Sequence, residues 1–413
     1  MGDPQVVAPE PTSNGGEDGA QPVVQQATTN EDNAKARGAP SADADGGGTV
    51  PRKEVSPGTL SKAECFWRDR QVWLQEKGYM LRPRYRPNWK PSWEGTSKEW
   101  FRCEDGRTVR LASLLDATRM SDNKLVMLKR ISRTSHPDEV EIAQFFSSQP
   151  LASDPRNHCV PIHEVLQDPE DQDLNILVMP FLRVNDDPPL NTVGEAISFY
   201  TQIFEGLLFM HEHHVAHRDC MSLNIMMDPE PMFPDMYHPI FTDRKRNFRG
   251  TAKQYSRTEK PPKYYLIDFG LSSKYAADNP SPHELPVLGG DRTVPEFQGD
   301  KFDEESDPFP TDVYYLGNAV RESHLQGFRN LGFMQQLVDD MTQSDPTKRP
   351  TMSEVVMRFN QIRSSLTSSM LRRRLVGKDE GVVRRLLYDL RHICVSFGYF
   401  IRSLPPVPEP APK

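Results

Sequence analysis

Residues 215–228 read Val-Ala-His-Arg-Asp-Cys-Met-Ser-Leu-Asn-Ile-Met-Met-Asp, and this stretch decides how the chain is read. Asp219 follows His217 and Arg218, and Asn224 stands five residues beyond it. Further on, the apolar run Tyr264-Tyr265-Leu266-Ile267 leads into Asp268-Phe269-Gly270. Two acids and an amide in this order supply hard oxygen donors, which suit a cation such as Mg²⁺. They also supply a carboxylate able to face a hydroxyl. Taken singly, each motif is weak. His-Arg-Asp fits a solvated loop, and Asp-Phe-Gly fits any strand-to-turn junction.

The constellation is specific. Lys129 lies in the alternating strand KLVMLKRI upstream, and Val294-Pro295-Glu296 follows Asp268. Asp312-Val313-Tyr314-Tyr315-Leu316-Gly317 comes next, then Asp345-Pro346-Thr347-Lys348-Arg349-Pro350. Across residues 100–365 this order resembles the eukaryotic protein kinase superfamily. The phrases Asp116-Ala117-Thr118-Arg119 and Arg156-Asn157-His158-Cys159-Val160-Pro161 look like the kinase-like proteins of mushroom-forming fungi. The resemblance implies an α+β, bilobal fold. Its small lobe would be mainly antiparallel sheet with one helix, and its large lobe mainly α-helical. It also implies phosphoryl transfer from ATP, with Mg²⁺ or Mn²⁺, to Ser/Thr hydroxyls of a protein substrate.

The same resemblance assigns roles. Asp219 would orient or accept the hydroxyl proton, Asn224 and Asp268 would bind the metal, and Lys129 would hold the α- and β-phosphates. The Lys129 partner is Glu139 or Glu141. Glu139 is preferred, because the apolar Val140, Ile142 and Phe146 at +1, +3 and +7 make it the better match to the helix of the resemblance. Met179 would guard the back of the nucleotide pocket, with Pro180-Phe181-Leu182 as the hinge. Phe269 and Gly270 complete the metal-binding motif, and His217 is a structural histidine. Glu296 and Arg349 would form a buried ion pair, and Asp312 would hold the loop carrying Asp219. Arg218 would meet an acidic side chain from residues 268–296, Asp291 first, so that no phosphorylation is needed.

The pattern also fails in places. No Gly-x-Gly-x-x-Gly precedes Lys129, and RTVRLASLLDATR stands there instead. Met221 and Leu223 occupy positions where many kinases place a cation, and Gly289 stands where a substrate-loop Thr is usual. Loss of one such charge contact costs about 10²–10³ in rate unless another group replaces it. An active kinase with an unorthodox lid is therefore read beside an alternative, a pseudokinase scaffold.

Composition bounds the rest. The chain has 413 residues and a net charge of −8, which gives no nucleic-acid footprint. Residues 1–60 form an acidic low-complexity tail that reads as disordered. Residues 61–100 hold all five tryptophans and read as an extension packed on the small lobe, its first helix over 61–77. Residues 101–182 make the small lobe and hinge, and 183–365 the large lobe. Within it, the stretch 229–262 is a basic insert: a solvated loop, or a docking patch for an acidic partner. Residues 366–403 form a helical extension whose Val382, Leu386, Leu390 and Ile393 make an amphipathic face. That face is expected to pack on the large lobe rather than on a membrane. Residues 404–413 are a Pro-rich tail. No signal-peptide core or 18-residue apolar run is visible, and five scattered cysteines suit a reducing compartment, so an intracellular, cytoplasmic or nuclear, protein is expected.

Overall fold

The computed structural model describes residues 57–107, 111–279, 281–287 and 289–411. Most of the expected acidic tail, residues 1–56, lies outside them. The architecture is mixed α/β, with an antiparallel sheet in the first part of the chain and helices in the rest. This is compatible with the expected bilobal fold.

The sheet has five strands: β1 (Tyr79–Leu81), β2 (Leu114–Arg119), β3 (Lys124–Ser132), β4 (Glu164–Gln167) and β5 (Leu174–Pro180). Their order is β1-β2-β3-β5-β4, and every pairing is antiparallel. The β2–β3 hairpin turns at Asn123, which takes a left-handed φ of 59°. An asparagine tolerates that backbone because its short polar side chain bonds locally. Successive side chains point to opposite faces of the sheet. Leu115, Ala117, Val126, Leu128, Ile176 and Val178 pack on one face with Trp67, Leu74 and Tyr85. Met127 and Lys129 occupy the other face of β3, Met127 opposite Met179 and Lys129 opposite Leu177.

Trp67 is fully buried under the sheet and donates from Nε1 to the Ala112 carbonyl at 3.3 Å. Trp89 donates to Asp105 at 2.9 Å, and the Arg84 guanidinium covers its ring. These tryptophans are packing anchors, as expected. The single helix expected over 61–77 is instead two, α1 (Lys62–Asp69) and α2 (Gln71–Glu76). The break falls at Arg70, whose guanidinium pairs with the buried Asp168 and lies 3.8 Å over the Phe66 ring. A second difference concerns the connection between β1 and β2. Its described residues, 82–107 and 111–113, include short 3₁₀ turns and carry Trp89, Trp93 and Trp100. The stretch expected to form the glycine-free lid is thus the end of a long aromatic-rich connection followed by β2.

Helix α3 (Glu139–Ser147) crosses beside the sheet and buries Glu139, Ile142, Ala143 and Phe146. The helical part is built around α4 (Val193–Glu212), of which fifteen residues are buried. Thr192 caps it by accepting from Glu195 N–H at 3.0 Å. The return arm expected of a capping box goes elsewhere. Glu195 accepts from Asn191 N–H at 2.7 Å and from Thr258, so it ties the helix start to a distant loop. Gly194 is forced by close approach, since a Cβ there would overlap the Pro406 carbonyl of the C-terminal tail. The core of this part continues through α5 (Pro308–Val320), α6 (Gln335–Met341) and α7 (Met352–Ser365).

The insert 229–262 is neither a free loop nor a clean basic patch. Arg257 is buried and donates to Tyr264 Oη at 2.9 Å and to the Asn185 and Pro189 carbonyls. Arg246 donates to the Asn123 carbonyl at 2.7 Å and to Thr118, and Lys124 pairs with Glu230 at 2.8 Å. His238 meets Glu104 at 3.1 Å. The insert therefore straps the helical part to the β2–β3 turn and to the β1–β2 connection. A buried guanidinium needs several acceptors, which explains why Arg257 is spent internally.

The C-terminal extension departs furthest from expectation. After the short α8 (Ser368–Leu371), helix α9 (Val382–Ile401) buries only Tyr399. Val382, Leu386, Leu390 and Ile393 are all exposed, so they do not pack on the helical part. Its inward side is polar and aromatic. Arg374 bonds Asp389, His392 meets the Arg372 carbonyl at 2.8 Å, and Tyr399 donates to Ser256 at 2.8 Å. No helix of the described residues is long and apolar enough to cross a membrane.

Candidate functional site

The site lies where the open face of β3, α3 and two loops of the helical part converge. Lys129 points from β3 into a buried setting. Its Nζ donates to Glu139 Oε1 at 2.5 Å and to Asp268 Oδ1 at 2.7 Å. Glu139 is thus the partner, and Glu141 is exposed. Burial opposes the Lys129 charge, yet Asp268 and Glu139 together raise its pKa above the ordinary lysine value. Burial pushes the Glu139 carboxyl up, against the pull of Lys129. Burial also works to raise Asp268, but the Lys129 ammonium and the Gly270 N–H hold it below its usual value. Asp268 has a left-handed φ of 65°, and Gly270 packs against Glu139 and His136, so the turn is pinned from both sides.

The loop after β6 (Val215–Ala216) carries the second acid. Asp312, fully buried on α5, accepts from His217 N–H and Arg218 N–H, both at 2.7 Å. This double acceptance fixes the loop backbone, including the left-handed φ of 62° at Arg218. Asn224 Nδ2 then donates to the Asp219 carbonyl at 2.9 Å and to Asp219 Oδ2 at 2.8 Å. Asp219 Oδ1 is buried with no hydrogen-bond partner. Burial, with the neighbouring Asp268 charge, pushes the Asp219 carboxyl up to about 7, despite the Asn224 bond. An unpartnered buried carboxylate oxygen is costly, and its persistence marks a place where a ligand group can bind. His217 is buried, and burial lowers its pKa, which favours the neutral imidazole. Its ring lies 5.8 Å from that of Phe269, which in turn packs near Phe146 of α3.

Above Asp219 sits Gly290, with φ 68°. A Cβ there would come within 2.9 Å of Asp219 Oδ1 and 3.3 Å of Tyr315 Oη. Tyr315 is buried, and its hydroxyl also lacks a partner. Two unsatisfied polar atoms therefore flank one point beside Gly290. Sequence reasoning gave Tyr315 no role. Only its place within the Asp312–Gly317 motif could have signalled that it stands beside the acid.

The remaining expected residues also find defined places. Arg349 makes a two-pronged bond to Glu296, 2.7 Å on each oxygen, with both side chains buried. Met179 is part-buried at the end of β5, and Phe181 is buried against Tyr237. Arg218 does meet an acid, but Glu284 rather than Asp291. It also donates to Ser273 Oγ at 2.9 Å and to the Leu285 carbonyl at 3.0 Å. Asp291 is taken by its own turn, accepting from Thr293 N–H and Oγ1 and from Asn318.

Oxygen donors of the kind a hard cation takes stand here, although no group of three or more His, Cys, Asp or Glu able to hold a metal ion is found among the described residues. The Asn224 nitrogen is spent on Asp219, which leaves its amide oxygen, and Asp268 and Asp219 supply carboxylates nearby. No protein-family model matches this chain, and no curated protein matches it.

Proposed function

We propose that this protein transfers a phosphoryl group from ATP to hydroxyl groups of protein substrates, as a protein kinase does. The observation that carries the reading is the buried Glu139–Lys129–Asp268 chain standing beside Asp219 with its open Oδ1. Lys129 is the cation for the α- and β-phosphates, and Glu139 holds it in place. Asn224 and Asp268 would hold Mg²⁺, which supplies neutralisation of phosphate charge when bound. Asp219 Oδ1 accepts the proton of the substrate hydroxyl. The hydroxyl oxygen forms its bond to the γ-phosphorus as the bond to the ADP oxygen breaks. Asn224 keeps Asp219 oriented, and Asp312 keeps the loop in register beneath it.

The long β1–β2 connection favours a second reading, a nucleotide-binding or interaction scaffold that keeps the fold without turnover. Glycine turns let backbone N–H groups approach phosphates, and residues 82–113 form a bulkier connection. Thermal-shift titration with Mg·ATP tests what both readings share. Stabilisation is expected, with strong loss in Asp268→Ala. No shift in the unmodified protein would remove the phosphoryl-transfer reading.

A further inference from the structure

Helix α9 is amphipathic in the reverse sense to a packed surface helix. Its polar and aromatic side is fastened to the body, and its apolar side faces outward along the whole length. Val383, Leu386, Leu390, Ile393, Phe397 and Phe400 recur at alternating spacings of three and four, so they share one stripe. Leu386 is 59 % exposed and Phe397 64 %. Scattered exposed apolar residues need no explanation, but a continuous stripe over a 20-residue helix marks a contact surface.

The rim of the stripe identifies what it meets. Arg384 and Arg391, seven residues apart, line one edge, and Arg385 lies on the other. All three are exposed. The one acid of the helix, Asp389, is engaged by Arg374 at 2.7 Å and by Arg385 at 3.8 Å, and Arg384 donates to Tyr388 Oη at 3.1 Å. Between Arg372 and Arg402 the chain has eight Lys or Arg and three Asp or Glu, within a protein whose net charge is −8. A second copy of the chain would bring arginine against arginine with no acid to answer. Residues 1–56 are acidic but contain no Leu, Ile, Phe, Tyr or Trp to cover such a stripe. A surface both apolar and negatively charged answers both features.

We infer that α9 is a membrane-surface helix, which lies in the plane of an anionic phospholipid bilayer and holds the protein there. The apolar stripe enters the acyl boundary while Arg384 and Arg391 reach the headgroup phosphates. The inference does not depend on the phosphoryl-transfer reading.

The test is co-sedimentation of the full chain with vesicles of phosphatidylcholine and phosphatidylserine in equal parts, against phosphatidylcholine alone. Binding about tenfold stronger to the anionic vesicles is expected, weakened by salt. Leu386→Ser with Leu390→Ser should abolish it, and Arg384→Gln with Arg391→Gln should remove the preference for phosphatidylserine. These side chains are exposed, so the melting temperature should hold in both variants. No sedimentation with anionic vesicles at low salt would overturn the inference. So would undiminished binding by the Leu variant. A dimer that the Leu variant dissolves, with no vesicle affinity, would assign the stripe to a second copy, and an acidic protein groove bound in place of vesicles would assign it to a protein partner.

Discussion

Asn224 binds Asp219 through one carboxylate oxygen, at 2.8 Å, and leaves the other buried without a partner. On the proposed reading the two residues divide the work: Asn224 orients the acid, and Asp219 keeps an acceptor free for an incoming hydroxyl. Replacing Asp219 by Asn preserves shape and removes the base. Turnover on a peptide substrate should fall by about 10²–10⁴, with ATP affinity near normal, the pattern of a group acting in the transition state. Steady-state kinetics with parallel ATP titration check this, and unchanged turnover would show that Asp219 is not the base.

Glu139 and Glu141 make an internal control. Glu139→Gln weakens the charge contact to the buried Lys129, whereas Glu141→Gln alters an exposed side chain. Phosphoryl transfer should drop at least tenfold in the first, by analogy with the loss of other fixed charge contacts, and stay unchanged in the second. Equal behaviour of the two variants would show that the Lys129–Glu139 bond does not serve the site.

The Arg218–Glu284 pair ties the loop carrying Asp219 to the segment that follows Asp268. A carboxylate already fills the role that a phosphate would take, so activity should appear in protein treated with phosphatase. Glu284→Ala should lower activity, and Asp291→Ala should not act through Arg218, since Asp291 bonds Thr293 and Asn318. Peptide phosphorylation by these two variants, with mass spectrometry to verify that Ser281 and Thr293 are unmodified, measures the difference. Activity seen only after modification of either residue would contradict it.

Much of this was legible in the sequence, for identifiable reasons. The apolar runs of β3 and β5 marked strands, and the spacing of Glu139, Ile142 and Phe146 marked the buried side of α3. Lys129, Asp219, Asn224 and Asp268 sit in short motifs whose order fixed their meeting. Long-range packing was not legible. Nothing local tells that Arg257 is swallowed by carbonyls from residues 185–189, or that insert 229–262 reaches the β2–β3 turn. For α9, periodicity reveals that an apolar face exists, but not which side the body takes. Its Tyr399 and His392 made the inward contacts, which left the leucines outside. The choice of Asp291 over Glu284 failed because nearness along a loop says little about where its backbone turns.

Glu296 and Arg349 carry the pH dependence. Burial works to raise the Glu296 carboxyl, but the Arg349 guanidinium holds it below its usual value. A depressed carboxylate stabilises the fold above its unfolded pKa, and this is lost as pH falls through the depressed folded value. Stability should therefore decline below about pH 4.5, near the ordinary Glu value. Arg349→Met should cost about 3–5 kcal/mol at pH 7, because it strands a buried carboxylate. The penalty should shrink towards pH 5, where an unpaired buried Glu296 takes up a proton. Urea unfolding of both proteins at the two pH values gives the comparison, and a pH-independent penalty would contradict the assignment.

The measurement closest to the central claim is transfer of labelled phosphate from ATP to a mixed peptide pool, run with Mg²⁺ and with Mn²⁺. Label in Ser or Thr, lost in Asp219→Asn and in Asp268→Ala, is the expected result. No label above the Asp219→Asn background with either metal would contradict phosphoryl transfer and leave the scaffold reading.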